Sequence, residues 1–326
     1  MSLVEEIHKQ AASNRKHIVL PEGEDDRMLH AAKQLVGEAV CDVTLLGHEE
    51  ALKQRADELK VSLENIPIVN PADSERFEAY VKELVELRKH KGVDQSKAES
   101  LIRDPLYYGA MMVHQGDADG SVAGAMNTTG NVIRAGIHCI GLTPNISVVS
   151  SIFLMIVPGW PQVLTFADAG VVPDPDPEQL ACIAISSAET HRMLTGKEPS
   201  VAFLSFSTYG SASHECVDKV REAVQIAKTK APALNMDGEM QADAALIPSV
   251  GESKAPGSSV AGRANVLIFP DLNSGNIAYK LTQRLAKATA LGPLIQGLKK
   301  PAMDLSRGCS VQDIVDVSAI CAVMSE

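Results

Sequence analysis

The stretch "DLSRGCSVQDIVDV", Asp304 to Val317, crowds a hydroxyl, a guanidinium, a glycine, a thiol and a carboxylate together. Ser310-Val311-Gln312-Asp313 reads as a capping box, Ser310 being the N-cap and Asp313 reaching back to the cap's own N–H. Ser306 to Cys309 then form the turn before a helix. Free N–H groups and the positive dipole end make such a turn an anion site, and Arg307 adds a two-pronged grip on phosphate. Asp313 has two readings: buried beside a ligand it is a general base, and exposed it only caps. Cys309 offers a rival chemistry, since a thiol at a helix N-terminus has a depressed pKa and could carry an acyl group covalently.

Cations elsewhere could serve the same anion. A charged helix expected from Ala72 to His90 closes on Arg88, Lys89, His90 and Lys91; the helix dipole favours such a run, so a solvated helix end accounts for it without any ligand. The segment "DPLYYGAMMVHQGDADGSVAGAMNTTGNVIRAGIHCIG" is rich in Gly, small residues and Asn/Thr and reads as loops approaching something closely, with Arg134 as its cation after His114. The acidic loop "FADAGVVPDPDPEQL" could hold a metal through Asp168, Asp174 and Asp176, yet Asp176-Pro177-Glu178 reads equally as an N-cap with Pro at the first helical position. No metal is expected.

These side chains need a scaffold. A chain of 326 residues suits two domains, and 45% apolar with only 4% aromatic residues means mostly Ala, Val, Leu and Ile, the make-up of buried parallel strands under helices. "KHIVLPEGEDDRMLHAAKQL" followed by "CDVTLLG" reads as strand, turn, helix capped by Asp25 or Asp26, and parallel strand. From Ile146 strand and helix patterns alternate again, and the tail from "PLIQGLKK" gives one more strand and helix that could rejoin the first domain. The expected fold is therefore α/β: two doubly wound α/β/α domains, 1–145 plus 297–326 and 146–296.

The same sequence excludes several classes. "VLPEGEDDR" has one glycine where a dinucleotide-binding loop needs three, and no GxxxxGK[ST] occurs. A net charge of −11 argues against nucleic acid or an anionic membrane as partner. The longest apolar run, Ile146 to Val157, has 12 residues, short of the ~20 that span a bilayer. No leader pattern opens the sequence, and six scattered cysteines read as free thiols, so a cytoplasmic location is expected.

Six segments in order, "IVLPEGEDDR", "DPLYYGAMMVHQGDADGSVAGAMNTTGNVIR", "FADAGVVPDPDPEQLA", "LSFSTYGSA", "FPDLNSGNIAYKLTQRL" and "GPLIQGLKKPAMDLSRGCSVQDIV", resemble the phosphate acetyl/butyryl transferases over essentially the full length. Arg134 favours the acetyl branch. The resemblance implies a Rossmann-like, isocitrate-dehydrogenase-like pair of domains with the site in the cleft between them. It also implies reversible transfer of an acetyl group between coenzyme A and inorganic phosphate, by direct attack of the CoA thiolate on acetyl phosphate. Carried over by motif, Asp313 would deprotonate the thiol, Ser306 would hydrogen-bond the reacting centre and Arg307 would stabilise the transition state. Arg134 and Arg88 would hold phosphates, and Asn127, Thr128 and Thr129 would line the phosphate pocket. CoA enters as substrate and no resident cofactor is implied. A homodimer through the second domain is implied too, for which the Ala/Leu/Ile-rich helix around Leu180 to Met193 offers a face. A butyryl-specific enzyme, an inactive CoA-binding sensor and a metal-dependent dehydrogenase are the alternatives. Ala135 stands where relatives commonly carry Pro after the arginine, which bears on the rigidity of a loop at Arg134.

Overall fold

A computed structural model describes residues 2–325. Along the chain run α1 (Leu3–Ser13), β1 (His17–Leu20), α2 (Asp26–Gly37), β2 (Asp42–Leu46), α3 (Glu49–Leu59), β3 (Ile68–Val69), α4 (Phe77–Arg88), α5 (Gln95–Ile102), α6 (Pro105–Gln115), β4 (Gly120–Ala123) and α7 (Thr129–Cys139). There follow β5 (Ser150–Ile156), β6 (Leu164–Ala167), α8 (Pro177–Thr195), β7 (Ser200–Leu204), α9 (Glu215–Lys230), β8 (Asn235–Met240), α10 (Ala242–Leu246), α11 (Pro248–Lys254), β9 (Val266–Ile268), α12 (Leu272–Leu285), β10 (Thr289–Gln296), β11 (Ala302–Asp304) and α13 (Val311–Val323). The chain divides into two units, residues 1–141 with 298–326, and 142–297.

The first unit is built on a wholly parallel sheet in the order β11-β4-β1-β2-β3. Ile18, Val19 and Leu20 of its central strand are completely buried, as expected of a strand covered on both faces. Because the strands are parallel, their carboxyl ends share one edge of the sheet, where ligands bind in such folds. Leu20, Ala123 and Asp304 end β1, β4 and β11 there, and each is followed within a few residues by side chains with chemistry: Glu22, the Asn127–Thr129 loop, and Ser306–Arg307.

Part of the glycine-rich segment read as loops is helix. Asp104 caps α6 by accepting the Leu106 N–H, Pro105 opens it, and Leu106 to Val113 are buried throughout. Leu106, Tyr107, Met111 and Val113 are large enough to make that turn-rich composition a core helix, with Gly109 facing Pro21 where a Cβ would lie only 2.9 Å from the ring. Arg134 likewise stands on α7 rather than in a loop. Ala135 is buried in the interior of that helix.

The second unit has a mixed sheet, β10-β5-β6-β9-β7-β8, in which β5 pairs antiparallel with both β10 and β6 and every other pairing is parallel. The connection between β5 and β6 is too short for a crossover helix, and Pro158, Gly159 and Pro161 make it a reversal. The edge strand β10 carries Pro293 at a register irregularity, which blunts its free edge. The face proposed from sequence on α8 is not available: Leu180 to Ala184, Ser186 to Ala188, His191 and Leu194 are buried, within a helix that packs on β6, β7, β9 and α9 of its own unit. Exposed instead are Ile277, Leu281 and Leu285 on α12, three residues one helical turn apart.

Candidate active site

The turn before α13 has the capping geometry its sequence suggested. Ser310 accepts the Asp313 N–H, and Asp313 Oδ2 accepts both the Ser310 N–H (2.8 Å) and its hydroxyl (2.9 Å), completing the capping box. Asp313 is exposed, so the cap geometry is present, and only Oδ2 is engaged in it. Ser306 Oγ accepts the Gly308 N–H at 3.2 Å and the Ser306 carbonyl accepts the Cys309 N–H, which tightens the turn and leaves the Ser306 and Arg307 side chains exposed.

Arg27 holds this turn against the loop after β4. Its Nη1 donates to the carbonyls of Arg307 (2.9 Å) and Cys309 (2.8 Å), and its Nη2 donates to the Ala125 carbonyl (3.0 Å). Asp25, the cap of α2, fixes the guanidinium through Nε and Nη2. Under the same loop lies Glu22, buried after β1. One of its oxygens accepts the N–H groups of Gly124 and Ala125, and the other those of Met126 and Asn127 together with the Asn127 amide. A carboxylate receiving five donors fixes four consecutive backbone positions, and a buried charge is tolerable only with such compensation. Thr128 then caps α7, and the Thr129 hydroxyl donates to Asp304 Oδ2 at 2.6 Å. Asn127, Thr128, Thr129, Ser306 and Arg307 are thus assembled by three residues the motif reading passed over: Glu22, Arg27 and Asp304. All three lie inside quoted segments; what hid them is that each acts by holding backbone or another side chain, which leaves no spacing signature.

Arg88 and Arg134 line a cavity of about 520 Å³ with Lys91, Lys97, Tyr107, Asn131 and His138. Lys89, His90 and Lys91 are exposed, as a solvated helix end requires. Arg88 differs, because its Nε is buried without a hydrogen-bond partner. Arg134 Nη1 reaches Asn131 Oδ1 at 3.1 Å. Burial, reinforced by Arg88, Arg134 and Lys97, lowers the His138 pKa below its ordinary value, and the ring hydrogen-bonds the Tyr107 hydroxyl at 2.9 Å. Arg88, Lys91, Lys97 and Arg134 thus face one concavity in an otherwise acidic protein.

Cys309 and the acidic loop complete the candidates read from sequence. The Cys309 thiol is buried, and burial raises its pKa despite Arg27 nearby; the depressed pKa expected at a helix N-terminus does not arise. The acidic loop is divided among separate tasks: Asp168 accepts the Ser151 hydroxyl and the Gly170 and Val172 N–H groups, Asp174 pairs with Lys219, and Asp176 caps α8.

The first unit thus carries, on a doubly wound α/β scaffold, a braced arginine turn, a hydroxyl-rich helix start and a separate basic cavity. The family model for phosphate acetyl/butaryl transferase matches residues 2–322. A phosphate acetyltransferase of Acetivibrio thermocellus is 51% identical over 100% of this chain and 99% of its own, and one of Thermoanaerobacterium thermosaccharolyticum is 51% identical over the whole of both. A solved phosphotransacetylase from Streptococcus pyogenes superposes with a TM-score of 0.96 at 40% identity, covering 100% of this chain and 99% of that one. The chain belongs to the phosphate acetyl/butaryl transferase family and is an acyltransferase with two α/β units.

Proposed function

We propose that the protein transfers an acetyl group reversibly between coenzyme A and inorganic phosphate, and that the cluster at the carboxyl edge of the first sheet carries the chemistry. The observation that supports this best is Arg27, which ties the Ser306–Cys309 turn to the Ala125 loop and so presents Arg307 and Ser306 beside Asn127 to Thr129. In the direction of acetyl-CoA synthesis, the CoA sulfur attacks the carbonyl carbon of acetyl phosphate as Asp313 removes the thiol proton. The unengaged oxygen of Asp313 is the one suited to take it. The carbonyl electron pair moves onto oxygen, where the Ser306 hydroxyl donates to it, and returns as the carbon–oxygen bond to phosphate breaks. Phosphate leaves with that bonding pair, and Arg307 neutralises its growing charge. The cavity between Arg88 and Arg134 takes the phosphates of CoA. No step calls for a resident cofactor.

The raised pKa of the buried Cys309 thiol supports transfer within a ternary complex over a covalent acetyl-enzyme. In the second unit, the stripe Ile277, Leu281 and Leu285 suits a second copy of this chain, since three large apolar side chains in one row are self-complementary about a two-fold axis. No described helix is long and apolar enough to cross a membrane; with all six cysteines free, we place the enzyme in the cytoplasm. The reading is tested by measuring CoA-dependent phosphate release from acetyl, propionyl and butyryl phosphate. Highest kcat/KM with the acetyl compound is expected; preference for butyryl would assign the other branch, and no release with any would remove the reading.

A further inference from the structure

We infer that Asp304 is a positioning residue that couples phosphate binding to the uptake of one proton, an inference resting on the phosphate-handling reading of this site. Asp304 ends β11 two residues before Ser306 and is 1% exposed. Its Oδ2 takes the Thr129 hydroxyl, so this one side chain joins the first residue of α7 to the strand that feeds the Arg307 turn. Its Oδ1 is buried with no hydrogen-bond partner, and it is packed so closely that a Cβ on Gly124 would lie 2.5 Å away. An ionised carboxylate with one orphaned oxygen is the costlier state to bury. Facing it are Glu22, whose charge opposes ionisation, and the Thr129 hydroxyl and Leu305 N–H, which favour it; burial dominates and pushes its pKa up to about 6.

No other titratable group competes for this role on the elements packed against β11. β4 carries none. On α7, Arg134 is held by Asn131 and His138 by Tyr107, and Cys139 is a buried thiol. On α13, Asp313 is held by Ser310, Asp316 by His8 and Gln312, and Cys321 lies against the Ser121 carbonyl. An anion entering between Thr129 and the Arg307 turn adds negative charge beside a carboxyl already near the midpoint of its titration. It therefore draws a proton onto Oδ1, and phosphate binds best when that proton is available. A neutral Asp304 keeps the Thr129 hydrogen bond, because Oδ2 still accepts.

The test compares KM for inorganic phosphate in the wild type and Asp304→Asn between about pH 5 and pH 8. Titration of phosphate itself cancels in the ratio. Asparagine imitates the neutral acid, so the two KM values should agree near pH 5, and the wild-type value should be roughly tenfold higher near pH 8, the size of a like-charge interaction across several ångströms. Thr129→Val removes a donor that favours the anion, so its inflection should move to higher pH. Stability provides a readout independent of turnover. A carboxyl whose folded pKa is raised loses stability as pH rises from about 4 through 6, so the melting temperature of Asp304→Asn relative to wild type should climb over that window. A KM ratio constant with pH in an active enzyme would overturn the proton coupling alone. Absence of phosphate-dependent turnover in the wild type would overturn the reading of the site and this inference with it.

Discussion

At the scale of single residues the sharpest question is Asp313, which is both an exposed helix cap and the proposed base. Asp313→Asn keeps a carbonyl oxygen for the Ser310 N–H, so it tests charge while sparing most of the cap. A thiol of pKa ~8.5 is only slightly ionised at neutral pH, and losing its base should lower kcat by roughly 10²-fold with the melting temperature little changed. A variant that melts several degrees lower but turns over normally would make Asp313 a cap alone. The arginines should separate by role. Arg307→Ala should act mainly on kcat, whereas Arg88→Ala and Arg134→Ala should raise KM for CoA, read from initial rates at varied CoA. Cys309→Ala should retain most turnover, since the thiol it removes is buried and protonated; abolished activity would revive the acetyl-thiol intermediate.

The loop between β4 and α7 shows what an element costs when it has no partner strand. Its four N–H groups from Gly124 to Asn127 would be orphaned if Glu22 did not take them all. Glu22→Gln has the same shape but turns one acceptor into a donor that confronts two N–H groups. Each unmade bond costs about 1–3 kcal/mol, so a loss of about 3 kcal/mol in unfolding free energy is expected. Denaturant unfolding monitored by circular dichroism measures it, with KM for phosphate rising in parallel because Asn127 to Thr129 lose their placement. A melting temperature within a degree of wild type would mean that water or a shifted side chain replaces the carboxylate.

For the whole molecule, the exposed row on α12 should be covered by a second copy. Sedimentation at micromolar concentration is expected to give twice the 34.7 kDa chain mass, and Leu281→Asp should release the single-chain species, since a charge in an apolar interface is left unpaired. Wild-type protein that sediments as one chain would leave the α12 stripe without this function. The enzyme's net charge of −11 has a consequence at the same scale: substrates that are themselves anions approach against the global field, so added salt should raise kcat/KM modestly by screening it while weakening the local arginine contacts at higher concentration.

Local rules determined much of this protein. Strand and helix alternation gave α/β, and the Ser310 capping box, the Asp25 and Asp176 caps and the arginine turn each depend on residues within three or four positions of one another, a range over which backbone geometry follows from side-chain type. The antiparallel run of β10, β5 and β6, the helical state of Pro105 to Gln115 and the burial of α8 depended on which surfaces the rest of the chain covers. The same holds for the site's bracing. Glu22 meets Asn127 across 105 positions, Thr129 meets Asp304 across 175, and Arg27 meets Arg307 across 280. Nothing in the spacing of such residues marks them, because a parallel sheet brings its carboxyl ends together only after the intervening helices have crossed over. Asp304 was in the first stretch that drew notice, but its burial, its orphaned oxygen and its raised pKa belong to the fold: water reaches a carboxylate in an unfolded chain, and only packing takes that water away.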